Sequence, residues 1–201
     1  YNAFTADGRF VLVPDKGLDR VFSVEWNGGQ PSLAATQPWY TAREGAGPRH
    51  LALHPTQPWV YVVNELDNTV TACVLHPTTG ALTPFQIVPS LPDSSVGPSR
   101  AAGIQMAPDG RHVYASNRGH DSIATFAIDP GTGRITLRGT TASRGRTPRF
   151  FTLAPFGSDA GPWMYVLGED SDTLECWRVD AATGLPEPIG YALGCASPVC
   201  M

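Results

Sequence analysis

Residues 45–70 read GAGPRHLALHPTQPWVYVVNELDNTV, and the fold is decided by how this stretch is patterned. Two short apolar runs, Leu51–Leu53 and Val60–Val63, flank a turn bounded by Pro55 and Pro58. β-Branched and aliphatic runs separated by proline-marked turns read as neighbouring strands. A polar cluster stands at the end of each run: Pro48-Arg49-His50 before the first, Asn64-Glu65 after the second.

The pattern recurs without gaps. Val60-Tyr61-Val62-Val63-Asn64-Glu65 matches Val113-Tyr114-Ala115-Ser116-Asn117-Arg118, Met164-Tyr165-Val166-Leu167-Gly168-Glu169 and Val11-Leu12-Val13-Pro14-Asp15-Lys16. Three residues on come Asn68, Asp121, Asp172 and Asp19, each followed two residues later by Val70, Ile123, Leu174 or Val21. An Asx side chain can bond the backbone just ahead of it, which suits a hairpin turn before the next strand. Each copy then reaches a glycine in the same phase, Gly80, Gly133 or Gly184, while the first copy has the degenerate Asn27-Gly28-Gly29. Matched positions lie about 50 residues apart, and such a period with several short strands per unit marks a β-propeller blade. No apolar run of helical period extends far enough to compete. The expected fold is all-β, a β-propeller of four-stranded antiparallel blades.

In chain order the blade-like units span approximately 1–42, 45–92, 99–143 and 146–193, with a final strand at 196–201. The first unit looks clipped, since the position matching Arg49 falls before Tyr1, and the fourth carries an insertion at Gly157–Pro162. Four units and a stray strand make either a four-bladed ring or part of a larger one. With 21 glycines, 19 prolines and few charges in 201 residues, the composition fits short strands joined by tight turns. A net charge of −4 and a pI near 5.7 exclude the basic footprint of a nucleic-acid partner. No run of 18 apolar residues is present to span a membrane as a helix. The expected location is the cytoplasm, although a start at Tyr1 leaves room for an upstream leader. Of the four cysteines, Cys73 and Cys176 sit in strand patterns and read as small packed hydrophobes, and C-x4-C at Cys195 and Cys200 is a weak pairing signal. No Cys/His spacing fits a metal, so neither metal nor cofactor is expected.

The longer motifs carry a resemblance. "GAGPRHLALHP", "YVVNELDNTV", "APDGRHVYASNRGHDSIATFAIDPGTGRI" and "TPRFFTLAP" are similar to the propeller-type, 6-phosphogluconolactonase-like lactonases. "SNRGHDSIATF" follows the family consensus, and "FVLVPDKGLDRVF" resembles its "PDLGLDRV" segment with Lys16 in place of Leu. The resemblance runs to "SPVCM" at the end and implies about four blades of a seven-bladed ring, with the N-terminal part and its His-rich segment lying upstream of Tyr1. It further implies self-association or a further chain segment to complete the ring. Gly168-Glu169 departs from the Asn-Gln usual there.

Lactone opening needs an activated water, a donor for the oxyanion and a grip on the rest of the substrate. The position after Asn64 and its equivalents holds Lys16, Glu65, Arg118 and Glu169, a charge in every copy. Such strand-end charges form either a mutually paired ring that closes the channel or a polar site at its mouth. On the second reading Glu65 is the general base or the group that orients water, by way of a raised pKa or a positioned water. Arg49, Arg118 and Arg149 offer planar forks for a carboxylate or phosphate, and one can also hold the oxyanion. His50 and His120 are the titratable alternatives. Strand alternation points His50 away from Arg49, and His120 lies in a turn. His54, His76 and His112 read as surface residues. Asn117 is a substrate-binding candidate that can equally satisfy backbone groups, as can Asn64.

Two classes of function follow. The first is metal-independent hydrolysis of an anionic sugar lactone, foremost 6-phosphoglucono-δ-lactone, with carboxymuconate cycloisomerase-type lactone formation as an alternative that uses the same parts. The second is a non-catalytic propeller platform, since fold does not fix function. Convergence of Arg49, Glu65, Arg118 and Arg149 in one concave site separates them.

Overall fold

A computed structural model of the chain describes residues 2–33, 39–154 and 162–200. Four antiparallel sheets follow one another along the chain. The first holds β1 (Ala3–Phe4), β2 (Phe10–Asp15), β3 (Arg20–Asn27) and β4 (Gln30–Leu33), with β5 (Trp39–Thr41) also pairing β3. The second is β6 (Pro48–Leu53), β7 (Trp59–Asn64), β8 (Thr69–Leu75) and β9 (Leu82–Pro89). The third is β10 (Arg100–Met106), β11 (His112–Arg118), β12 (Ser122–Ile128) and β13 (Ile135–Ala142). The fourth is β14 (Pro148–Leu153), β15 (Trp163–Gly168), β16 (Thr173–Val179) and β17 (Pro186–Gly194). Each sheet is a meander in chain order, the blade architecture expected from the repeat.

The sheets stack face to face, so the second strand of an inner blade is covered on both sides. All six residues of β7 are buried, which is why WVYVVN reads as an unbroken apolar run and not as an alternation. Three cores lie between successive blades. One packs Leu12, Val21 and Tyr40 against Leu51, Val60, Val62 and Cys73. The next packs Trp59, Tyr61, Val63 and Val70 against Val113, Ala115, Phe126 and Ile135. The last packs Tyr114 and Ile123 against Phe151, Met164, Val166 and Trp177.

The Asx residues do more than make their own turns. Asp19, Asn68, Asp121 and Asp172 sit at φ of 51°, 52°, 49° and 54°; the first three reach across to the start of the next blade, and Asp172 to the segment that follows the fourth. Asp19 accepts from the Gly45 and Gly47 amides, Asp121 from Thr147 and Asp172 from Ser197, and Asn68 donates to the Ser99 carbonyl. Blade is thus clasped to blade.

Two expectations are corrected. The final strand expected at 196–201 is not formed over its described residues 196–200, because a strand needs a hydrogen-bonding neighbour and none borders them among the described residues. The outer edge of the first unit is shared between β4 and β5, which pair different ends of β3. Most of the Gly157–Pro162 insertion lies outside the described residues. The four cysteines are free thiols; Cys73 is buried, and burial pushes its pKa up to about 12, while Cys195 and Cys200 are exposed and unpaired.

Candidate active site

The innermost strands β6 and β14 break register after their leading prolines, at Arg49 and Arg149, and β10 does so at Ala102-Gly103. A β-bulge inserts one extra residue and re-aims the side chains on either side of it. Here it overturns the expectation for His50: Arg49 and His50 come to the same side, with Arg49 Nη1 at 3.0 Å from His50 Nε2 and 3.3 Å from Nδ1. Arg49 also reaches the adjacent innermost strand β10 and donates to the Ala102 carbonyl at 2.8 Å. The third blade has the small Ala102 where its neighbours have arginines, so space remains for Arg49 to lie there.

At the end of β7, Asn64 is buried and donates to the hydroxyls of Thr69 and Thr71, which fixes the backbone that carries Glu65. Glu65 is 5% exposed and is the hub of the site. Its Oε1 meets Lys16 Nζ at 3.2 Å, Arg118 Nη2 at 3.1 Å and Arg100 Nη1 at 3.8 Å, and its Oε2 meets Arg49 Nε at 3.0 Å. Arg149 pairs with Glu169 at 3.4 Å. Pro14, Lys16, Pro48, Arg49, Glu65, Arg118 and Arg149 line one cavity of about 370 Å³. Arg49 and Arg118 form its inner wall, whereas the Lys16 and Arg149 side chains stand at the mouth, 49% and 39% exposed.

These contacts revise the expected chemistry of Glu65. Burial raises its pKa, but the hydrogen bond from Lys16 and the Arg118 charge outweigh burial and hold the carboxyl below its ordinary value. Glu65 is therefore a fixed anion, not a base tuned upward. Burial, and then the Arg49 charge, lower the His50 pKa to about 3, so this imidazole is neutral near pH 7. Burial and Arg118 likewise lower that of Arg49.

Of the sequence candidates, Lys16, Arg49, Glu65, Arg118 and Arg149 come together, with His50 against Arg49 and Glu169 tied to Arg149. Asn117 does not join them: it is fully buried and exchanges hydrogen bonds with Ser90 and Ser122, so it braces the strand end. His120 stays in its turn, 2.7 Å from the Ser122 hydroxyl. Arg100 was missed. It lies directly across from Arg118 in the β10–β11 ladder. Like charges in such a pair are unfavourable unless an anion shares them, and that unfavourable pair was the signal.

Comparison with known proteins bears on the family and the fold. The model of the lactonase family described as a 7-bladed beta-propeller matches residues 1–201. The chain belongs to this lactonase family. It is 30% identical over 201 residues to the 6-phosphogluconolactonase of Bacillus subtilis, covering all of this chain and 56% of that protein. Among solved structures, a Lactobacillus plantarum protein superposes with a TM-score of 0.90 at 28% identity, over 100% of this chain and 56% of the other. The Pseudomonas aeruginosa periplasmic gluconolactonase gives 0.88 at 27% identity, over 98% and 54%. The chain thus spans about half the length of the family members it matches.

Proposed function

We propose that the protein hydrolyses a sugar lactone, with 6-phosphoglucono-δ-lactone as the substrate. The observation that carries this reading is the charge imbalance of one concave site: among the described residues Lys16, Arg49, Arg118 and Arg149 line it with Glu65 as the carboxylate in the lining, while Glu169 pairs with Arg149 and Arg100 reaches Glu65 at 3.8 Å. A paired rim of strand-end charges would balance instead. Cationic side chains left in excess at a cavity mouth await an anion.

Lys16 and Arg149 at the mouth grip the phosphate, Arg149 with a two-pronged fork. Arg49 and Arg118 donate to the lactone carbonyl oxygen as it becomes an oxyanion, and the loss of one such donor costs on the order of 10²–10³ in rate. Glu65 accepts a hydrogen bond from the attacking water. The water oxygen bonds to the carbonyl carbon, the ring ester C–O bond breaks, and the proton from water passes by way of Glu65 to the departing ring oxygen. Because Glu65 is a weak base, it relays this proton and does not store it. His50 remains an uncharged neighbour that positions Arg49.

The test is lactone opening by the complete protein, measured on gluconolactone with and without the 6-phosphate. Glu65→Gln should lower turnover at least about a hundredfold with the fold unchanged. Wild-type turnover in that variant, or no preference for the phosphorylated lactone, removes the reading.

A further inference from the structure

The two oxygens of the Glu65 carboxylate are held in different ways. Oε2 meets Arg49 Nε at 3.0 Å, whereas Oε1 is shared by Arg118 at 3.1 Å, Lys16 at 3.2 Å and Arg100 at 3.8 Å. These cations are of two kinds. The Arg49 and Arg118 side chains are 15% and 16% exposed, and each is tied a second time, Arg49 to the Ala102 carbonyl at 2.8 Å and Arg118 to the Ala101 carbonyl at 3.4 Å. The Lys16 and Arg100 side chains are 49% and 63% exposed, and Glu65 is the only group their charged ends meet among the described residues. Exposed ion pairs contribute little to stability, so both cations can leave Oε1 at small cost.

The chain places this loose pair on both sides of Glu65. Lys16 follows the end of β2 in the first blade, Glu65 follows β7 in the second, and Arg100 opens β10 in the third. A carboxylate loaded in this way is a poor acceptor for a proton. Burial pushes the Glu65 pKa up, but the hydrogen bond from Lys16 and the Arg118 charge bring it below its ordinary value. Arg100 also stands across from Arg118 in the ladder, a like-charge pair that an added anion relieves. A phosphate monoester brings about two negative charges and three acceptor oxygens, against the single charge of Glu65, and suits the fork of an arginine.

We propose that Lys16 and Arg100 are specificity-determining residues that couple the substrate's phosphate to Glu65: they leave Oε1 for the phosphate and so free Glu65 to accept from the attacking water. This coupling rests on the reading of the site as one that opens a sugar lactone, and it adds Arg100 to that site. The charge around Glu65 changes twice, because two cations withdraw and a dianion takes their place at the mouth. Arg49 and Arg118, each tied to a carbonyl of β10, stay on the carboxylate and keep it aimed. An uncharged lactone meets the same cavity with Glu65 still loaded. A group that only anchors the substrate holds ground state and transition state alike and lowers KM alone. A phosphate that unloads Glu65 raises kcat as well.

The test uses the complete protein and plain glucono-δ-lactone, with inorganic phosphite supplied as the separate dianion, NaCl at matched ionic strength as the control, and the enzyme-free rate subtracted. Saturating phosphite should raise kcat for the plain lactone at least about fivefold. The double variant Lys16→Ala/Arg100→Ala should open the plain lactone severalfold faster than wild type, and phosphite should add nothing to it. Unchanged kcat with phosphite overturns the proposal, as does a double variant that is slower on the plain lactone or still activated. If wild type opens neither the plain nor the phosphorylated lactone, the functional reading fails, and a crystal structure of the complete protein with inorganic phosphite decides the coupling by itself. Lys16 and Arg100 should then lie on the phosphite and beyond about 4 Å from Oε1, outside ion-pair reach. Phosphite bound with both cations still on Oε1, or a mouth that takes no phosphite, overturns it.

Discussion

Glu65 and His50 show how one position acquires its chemistry from its neighbours. Glu65 was the natural candidate for a base. Contact with Lys16, Arg49 and Arg118 makes it instead the anion that gathers the cationic side chains. His50 carries a measurable cost of its own. Burial, then Arg49, holds its folded pKa at about 3, whereas an unfolded imidazole titrates near 6.5. Between those values the unfolded chain binds more protons, so this residue makes stability fall as pH drops from about 6.5 toward 3. Phenylalanine already fills the same ladder position in the fourth blade, as Phe150. His50→Phe should therefore flatten the decline of Tm between about pH 6.5 and 5, relative to wild type. Parallel Tm–pH curves for the two proteins would show that His50 is not neutralised by the fold.

At the scale of elements, the hairpin turn is what holds blade to blade. Gly133 adopts φ of 72° and lies against the Trp59 indole, so Gly133→Ala meets both backbone strain and a collision. The expected loss is about 1–3 kcal/mol in denaturant unfolding. Gly139 provides the control: it has no positive φ, and a Cβ there would meet nothing within 4 Å. Gly139→Ala should change stability by less than about 0.5 kcal/mol. Equal losses at the two glycines would mean that the Gly133 turn carries no interblade packing. The phase of Gly80, Gly133 and Gly184 was legible in the repeat, but their contact partners were not, since each glycine meets a residue of another blade. The bulge at Arg49 was hidden for a related reason: strand alternation assumes an unbroken ladder, and register is a property of two strands.

At the scale of the molecule, an acidic chain of net charge −4 encloses a cation-lined cavity. The field that would act on the proposed anionic substrate is therefore local and is screened by salt, with a Debye length of about 10 Å at 0.1 M that shortens to about 3 Å at 1 M. KM for a phosphorylated lactone should rise severalfold between about 0.05 and 0.5 M NaCl, while KM for the uncharged lactone stays level. Equal salt response for both lactones would place the phosphate outside the cavity. The repeat of strand, turn and charged strand end was enough by itself to determine the blade and to pick out most of the charged residues, because hydrophobic period and turn chemistry act within a few residues; the family followed from the resemblance of the longer motifs. Only the tertiary structure decided that Arg100 joins Glu65, that His50 faces Arg49, and that Asn117 braces the strand end without lining the site. Those outcomes depend on bulges and on contacts between blades, where residues about 50 positions apart meet around one axis.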